Sequence, residues 1–195
     1  VALFSHAGAH VIVDVAGWFT GAAAVATTAP PSNAPPTGDS EVIFVSDSSF
    51  AGIRWNGTLA LLRGAAFDSR LESCRRLIGA SCRGREGYAP RTAEGELAAA
   101  TPGRYRMAII AVGYNDSLST FESGVERVIS MARSKGIDRV MWMTYRENVG
   151  YVSPAGVSDS DSFVAMNRAL RSAAASGRYP ELIVADWHAY SFAEG

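Results

Sequence analysis

From residue 41 onward, hydrophobic positions follow two alternating periods. Short, nearly unbroken apolar runs read as buried strands: EVIFVS (41–46), RMAIIAVGY (106–114), RVMWMTY (139–145) and ELIVADW (181–187), with the less regular SRLESCRRLI (69–78) as a further strand. Between them apolar residues recur at helical spacing. The clearest case is LSTFESGVERVISMARSKG (118–136), where Leu118, Phe121, Val125, Val128, Ile129 and Ala132 form one stripe. Ser119 and Glu122 stand at capping-box spacing there, and Gly136 marks the exit. WNGTLALLRG (55–64) reads as a helix closed by Gly64, TAEGELAAA (92–100) as a short helix, and DSFVAMNRALRSAAASG (161–177) as a helix stopped by Gly177. Five strands in strict alternation with four helices predict an α/β domain, a parallel sheet covered on both faces.

The first forty residues do not share this pattern. HVIVDVAGWF (10–19) alternates like a strand but has nothing of its own to pack against, so residues 1–20 read as the end of an upstream β-rich module. Residues 21–40, GAAAVATTAPPSNAPPTGDS, carry no periodic apolar face and cannot offset the entropy of ordering them, which makes them a linker. The folded domain is expected over 41–195. A start at Val1 rather than Met, with no basic segment before an apolar one, suggests a piece of a longer protein.

Composition narrows the function. The chain has 195 residues, 48% hydrophobic and 19% charged, enough for one α/β core. Its net charge of −1, with basic residues scattered, disfavours nucleic acid and anionic membranes as partners, and no apolar run is long enough to span a bilayer. Cys74 and Cys82, eight apart, are either two buried thiols or a disulfide stabilising by about 3 kcal/mol. Their spacing fits no zinc or CxxC redox motif. His6 and His10 sit in the strand-like segment, where surface or packing roles are expected rather than metal binding.

In a doubly wound sheet, ligands sit beyond the carboxyl ends of the strands, so the residues just after each strand are the candidates. After the first strand come Asp47, Ser48 and Ser49; after the third, Gly113, Tyr114, Asn115 and Asp116. A serine at a strand-to-helix turn presents its hydroxyl, and its backbone N–H lies near the positive end of the helix. The Asn115 amide reaches the same region if the third strand lies beside the first. Glycines 79, 84 and 87, following the second strand, are candidates for a further backbone donor. A hydroxyl facing three such donors is an oxyanion-hole arrangement.

These residues carry a resemblance. FVSDSSFAG (44–52) resembles the first block of the SGNH (GDSL-type) esterase and lipase family, with Ser46 in place of its first glycine, and AVGYND (111–116) resembles the family's Gly-x-Asn-Asp block. CRGREGYAPRTAEG (82–95) is similar to its loosely defined glycine block. The resemblance implies a flavodoxin-like three-layer sandwich with a five-stranded parallel sheet, and acyl transfer from an ester. Ser48 is then the nucleophile, while Ser48 N–H, Gly84 (Gly87 as alternate) and Asn115 form the oxyanion hole, with Asp47, Gly113 and Asp116 in support. It implies no cofactor and no metal, a small-molecule or glycan ester as substrate, and a monomer.

The general base is the departure. The family supplies an Asp-x-x-His block beyond the last strand, whereas this chain has Asp186-Trp187-His188 at the strand end. The dyad is therefore expected downstream of Gly195, with His188 as a bystander and as the alternative base. Trp142, Tyr145 and Trp187 are candidates for an acyl pocket or for core packing. A phosphatase reading with Asp47 as nucleophile fails because Ser49 stands where the second carboxylate belongs, and a flavin-phosphate loop fits Asn115-Asp116 poorly. HVIVDVAGWF also resembles repeats of secreted actinobacterial proteins, implying an extracellular or cell-surface site. The rival reading is a carbohydrate- or wall-binding module on an idle hydrolase fold.

Overall fold

The computed structural model describes residues 41–147 and 159–193. The expected upstream module and linker, His6, His10 and Asn148 lie outside the described residues. Five parallel strands, β1 (Val42–Ser46), β2 (Phe67–Leu71), β3 (Met107–Ala111), β4 (Arg139–Met143) and β5 (Leu182–Ala185), form one sheet in the order β2-β1-β3-β4-β5. This is the flavodoxin-like order, and it sets β1 between β2 and β3.

Strand alternation divides the core into two layers. Ile43, Val45, Ala108, Ile110, Val140 and Trp142 face α2 (Ala93–Ala99), α3 (Leu118–Ser134) and α4 (Asp159–Ala175), where Leu97, Phe121, Val125, Met166 and Leu170 meet them. Val42, Phe44, Ile109, Ala111, Met141 and Met143 point the other way. Phe50 and Ile53 of α1 (Ser48–Trp55) cover them, with Trp187 and Tyr190 of α5 (Trp187–Ala193) alongside. Strands buried on both faces must be apolar at every position, which is why β1, β3 and β4 stand out as unbroken runs. Each such side chain contributes about 1.5–3 kcal/mol on leaving water.

Several elements differ from their sequence-based boundaries for local reasons. The first helix begins at Ser48, not in WNGTLALLRG, because the Asp47 carboxylate caps it by accepting Ser49 N–H at 2.9 Å. Asn56 and left-handed Gly57 (φ 67°) end it, leaving only a 3-10 turn at Leu59–Leu61. The second strand lies earlier than SRLESCRRLI. Cys74 adopts φ 67°, which extended chain cannot accommodate, so the segment after Leu71 is a loop. Thr92 caps α2 by accepting Gly95 N–H at 2.9 Å. In α3 the cap residue is Ser117 rather than Ser119, and Leu118 is 46% exposed, outside the buried stripe that begins three residues later at Phe121. The fifth strand runs straight into α5, a helix that the periodicity does not announce.

Trp142 and Tyr145 resolve to packing. Both are buried, and Trp142 Nε1 donates to Tyr145 Oη (3.0 Å), which in turn donates to Val112 O (2.7 Å). Trp187 packs its ring 5.3 Å from that of Phe50, joining α5 to α1. Among the described residues no helix is long and apolar enough to cross a membrane.

Candidate active site

At the carboxyl edge of the sheet, one residue separates β1 from α1. That residue is Asp47, and its side chain is wholly buried. Its Oδ1 accepts Ser49 N–H, while Oδ2 accepts Gly113 N–H and Tyr114 N–H, both at 3.1 Å. Burial pushes this carboxyl above its ordinary range, and the N–H donors from Ser49, Gly113 and Tyr114 pull against that push. Asp47 thus fastens the turn after β1 to the loop after β3. Ser48, the first helical residue, is exposed and follows this fastening directly. N–H groups in the first turn of a helix lack intrahelical acceptors, and the helix dipole adds partial positive charge there.

Gly113 can be nothing larger. A Cβ at this position lies 2.2 Å from Tyr145 Oη, and its φ of +149° suits only glycine. Two residues on, Asn115 Nδ2 donates to Arg75 O at 3.1 Å. An amide nitrogen carries two hydrogens, and the second meets no acceptor among the described residues. The Asp116 carboxylate accepts Leu77 N–H, at 3.2 and 3.1 Å from its two oxygens, and burial raises its pKa to about 6. The loops following β1, β2 and β3 are therefore tied together by Asp47, Asn115 and Asp116. A depression of about 420 Å³ lies beside them, lined by Arg76, Ile78, Gly79, Asn115, Asp116, Ser117 and Thr120; Ser48 is not part of its wall.

Gly84 has a different task from the one expected. Its N–H donates to Tyr88 O at 2.9 Å, so that hydrogen is already engaged within its own turn. A Cβ on Gly84 meets Ser73 Oγ and Glu86 Oε2, both at 2.5 Å, so the glycine is required by close packing rather than by a ligand. The alternate, Gly87, donates to Gly84 O in the same turn. Beneath it, Glu86 accepts Ser73 Oγ–H (2.6 Å), Ser73 N–H (3.1 Å), Trp55 Nε1–H (3.1 Å) and Arg54 (2.8 Å). Burial opposes ionisation, but these donors, Ser73 foremost, outweigh it and lower the carboxyl to about 2.

His188 belongs to another neighbourhood. Its Nδ1 accepts Glu147 N–H at 3.2 Å and its own N–H donates to Thr144 Oγ1 at 2.9 Å, tying α5 to the loop after β4. It follows β5, three strand spacings from β1, or about 14 Å at ~4.8 Å per strand. Asp186 serves the same corner, accepting Thr144 Oγ1–H (3.1 Å) and Arg171 Nη2 (3.1 Å).

Two residues at this edge escape a sequence reading. Cys74 is disulfide-bonded to Cys82, with Cα atoms 5.3 Å apart, and is the one non-glycine residue with positive φ among those described. Its N–H has no hydrogen-bond acceptor among the described residues. Arg75, next along, is completely buried. The cysteine spacing hints at a staple, but nothing in the local pattern marks the left-handed turn or the buried guanidinium. No protein-family description matches the chain, and no curated protein matches it.

Proposed function

We propose that this domain is a serine hydrolase of the SGNH type, acting on the ester of a small molecule or glycan. The observation that carries the reading is the exposed Ser48 at the first turn of α1, beside a loop that Asp47 holds in place and that presents Asn115. In this scheme Ser48 Oγ attacks the ester carbonyl and gives its proton to a histidine base, which returns it to the departing alcohol as the ester C–O bond breaks. Water then hydrolyses the acyl-serine, and Ser48 N–H and the second Asn115 Nδ2 hydrogen stabilise the oxyanion in both steps. Cys74 N–H takes the place expected for Gly84, since strained left-handed backbone outside glycine tends to mark functional loops. Asp47, Gly113 and Asp116 hold the frame. Extracellular residence, favoured by the disulfide, and a monomeric state belong to the same proposal.

A serine hydroxyl needs a histidine to take its proton, and His188 is committed elsewhere. That same observation favours the rival reading, a carbohydrate- or wall-binding module without turnover. A fluorophosphonate probe separates the two. Mass added at Ser48, abolished by Ser48→Ala, is expected in the natural sequence extended past Gly195, with slower labelling of residues 1–195 alone. Labelling of neither form, with glycan retained on the protein, overturns the hydrolase reading in favour of the binding module.

A further inference from the structure

The most unusual charge in the molecule is one that the proposed chemistry does not use. The Arg75 side chain has no solvent exposure, and a guanidinium is costly to bury unless every N–H finds an acceptor. Its five hydrogens meet five acceptors. Nε donates to Ser46 O (3.0 Å), Nη1 to Arg91 O and to Glu96 Oε1 (3.1 Å), and Nη2 to Arg70 O (3.4 Å) and to Glu72 Oε2. These acceptors come from the end of β1, the end of β2, the loop after it, the entrance to α2 and α2 itself.

Apolar residues of similar volume commonly fill such a space at no loss of stability, so a fully satisfied buried arginine points to placement rather than to net stabilisation. What it places is specific. Ser46 O, the last carbonyl of β1, lies two residues before Ser48, and the Arg75 backbone carbonyl is the acceptor for Asn115 Nδ2. One residue therefore grips the strand tip that carries the hydroxyl with its side chain and the carboxamide with its main chain.

We propose that Arg75 is the positioning residue that fixes the Asn115 carboxamide relative to the Ser48 turn. That these two groups are catalytic rests on the hydrolase reading above. Arg75 touches neither substrate nor reacting atom; it acts through Ser46 O and through its own carbonyl. A displacement of about 1 Å between reacting groups lowers rates by up to about 10²-fold.

The test uses Arg75→Met/Glu96→Leu in the chain extended past Gly195, so that no carboxylate in α2 is left buried without its cation. Arg75→Lys, whose ammonium keeps the charge but cannot span all five acceptors, serves as the second variant should the first not melt cooperatively. In the folded variant, fluorophosphonate labelling of Ser48 should slow about 10- to 100-fold. Turnover of p-nitrophenyl acetate should lose kcat at unchanged KM when expressed per folded molecule, the folded fraction being fixed by denaturant titration of the same variant. In ¹H–¹⁵N spectra the two Asn115 side-chain amide protons, inequivalent and slowly exchanging in the wild type, should converge and exchange faster. A folded variant with wild-type labelling and an unmoved Asn115 signal overturns the proposal. Wild-type protein that never labels, combined with an Asn115 signal that moves in the variant, removes the hydrolase reading and leaves the positioning role standing.

Discussion

Replacing Gly113 by alanine inserts a methyl carbon where the structure has no room for one. The new Cβ falls 2.2 Å from Tyr145 Oη, 2.5 Å from Cζ and 2.7 Å from Cε1. Tyr145 is held by its bonds to Val112 O and Trp142 Nε1, and its ring is 1% exposed, so it has nowhere to go. Overpacking of this kind costs about 1–3 kcal/mol. The φ of +149° adds about 1–3 kcal/mol for any residue with a side chain. If Gly113 N–H also leaves Asp47 Oδ2, about 1 kcal/mol more is lost. The expected destabilisation is about 2–7 kcal/mol, a large share of the ~5–15 kcal/mol that holds a domain together. Urea unfolding followed by tryptophan fluorescence measures it, with buried Trp142 as reporter. Pairing it with Tyr145→Phe sharpens the test, because that change removes Oη but leaves Cζ and Cε1 in the way; less than about half of the loss should return. A Gly113→Ala variant within 1 kcal/mol of wild type would refute the account of this turn.

Four further outcomes are expected. Asp116 keeps its proton to about pH 6 when folded, against 3.8 as its ordinary value, so its contribution favours the fold below that window and is lost as pH rises through 6. At ~1.36 kcal/mol per unit the loss is at most about 3 kcal/mol, reduced to about 1–2 kcal/mol by its partial exposure; Asp116→Asn should flatten stability between pH 4 and 6 in denaturant titrations. Glu86 has the opposite sign: lowered to about 2 from 4.5, it stabilises above pH 4.5, and Glu86→Gln should abolish the loss seen as acid approaches pH 2. Replacing Cys74 and Cys82 by serine should lower unfolding free energy by about 2.5–3 kcal/mol, matched by dithiothreitol on the wild type and absent in the variant. Under the proposed hydrolase function, Asn115→Ala should reduce kcat on a short-chain ester by about 10²–10³-fold at constant KM, measured by initial rates.

The strands of the sheet were legible because β1, β3 and β4 are buried on both faces and so carry almost no polar interruption, whereas their order followed only from the family resemblance. α3 was legible because its stripe keeps a 3.6-residue period from Phe121 to Ala132. β2 was misplaced because it lies at an edge. Its FDSRL sets three polar residues between Phe67 and Leu71, whereas the neighbouring SCRRL mimics a strand although it folds as a loop around a left-handed Cys74. Ser48, Asn115 and the Asp47 turn could be located from their positions after strands. Gly84 could not be assigned, since a glycine pattern signals a close approach without naming what approaches, here Ser73 and Glu86. Arg75 was invisible for a more general reason. An arginine in a sequence defaults to solvent, and only the three-dimensional meeting of Ser46, Arg70, Glu72, Arg91 and Glu96 makes an interior place for it.

The same polar character that hid β2 from pattern recognition has a benefit for the assembled protein. An outermost strand offers unpaired peptide groups to any extended chain that drifts past, and long flat aliphatic borders recruit such chains into aggregates. Here Asp68 and Arg70 form an ion pair along the strand, and Asp68 also meets Tyr105 and Arg104, so a would-be docking strand must strip water from a charged rim before it can bond. Swapping both for valine would turn this border into a template for intermolecular growth, a liability that the native residues guard against at modest expense in strand propensity.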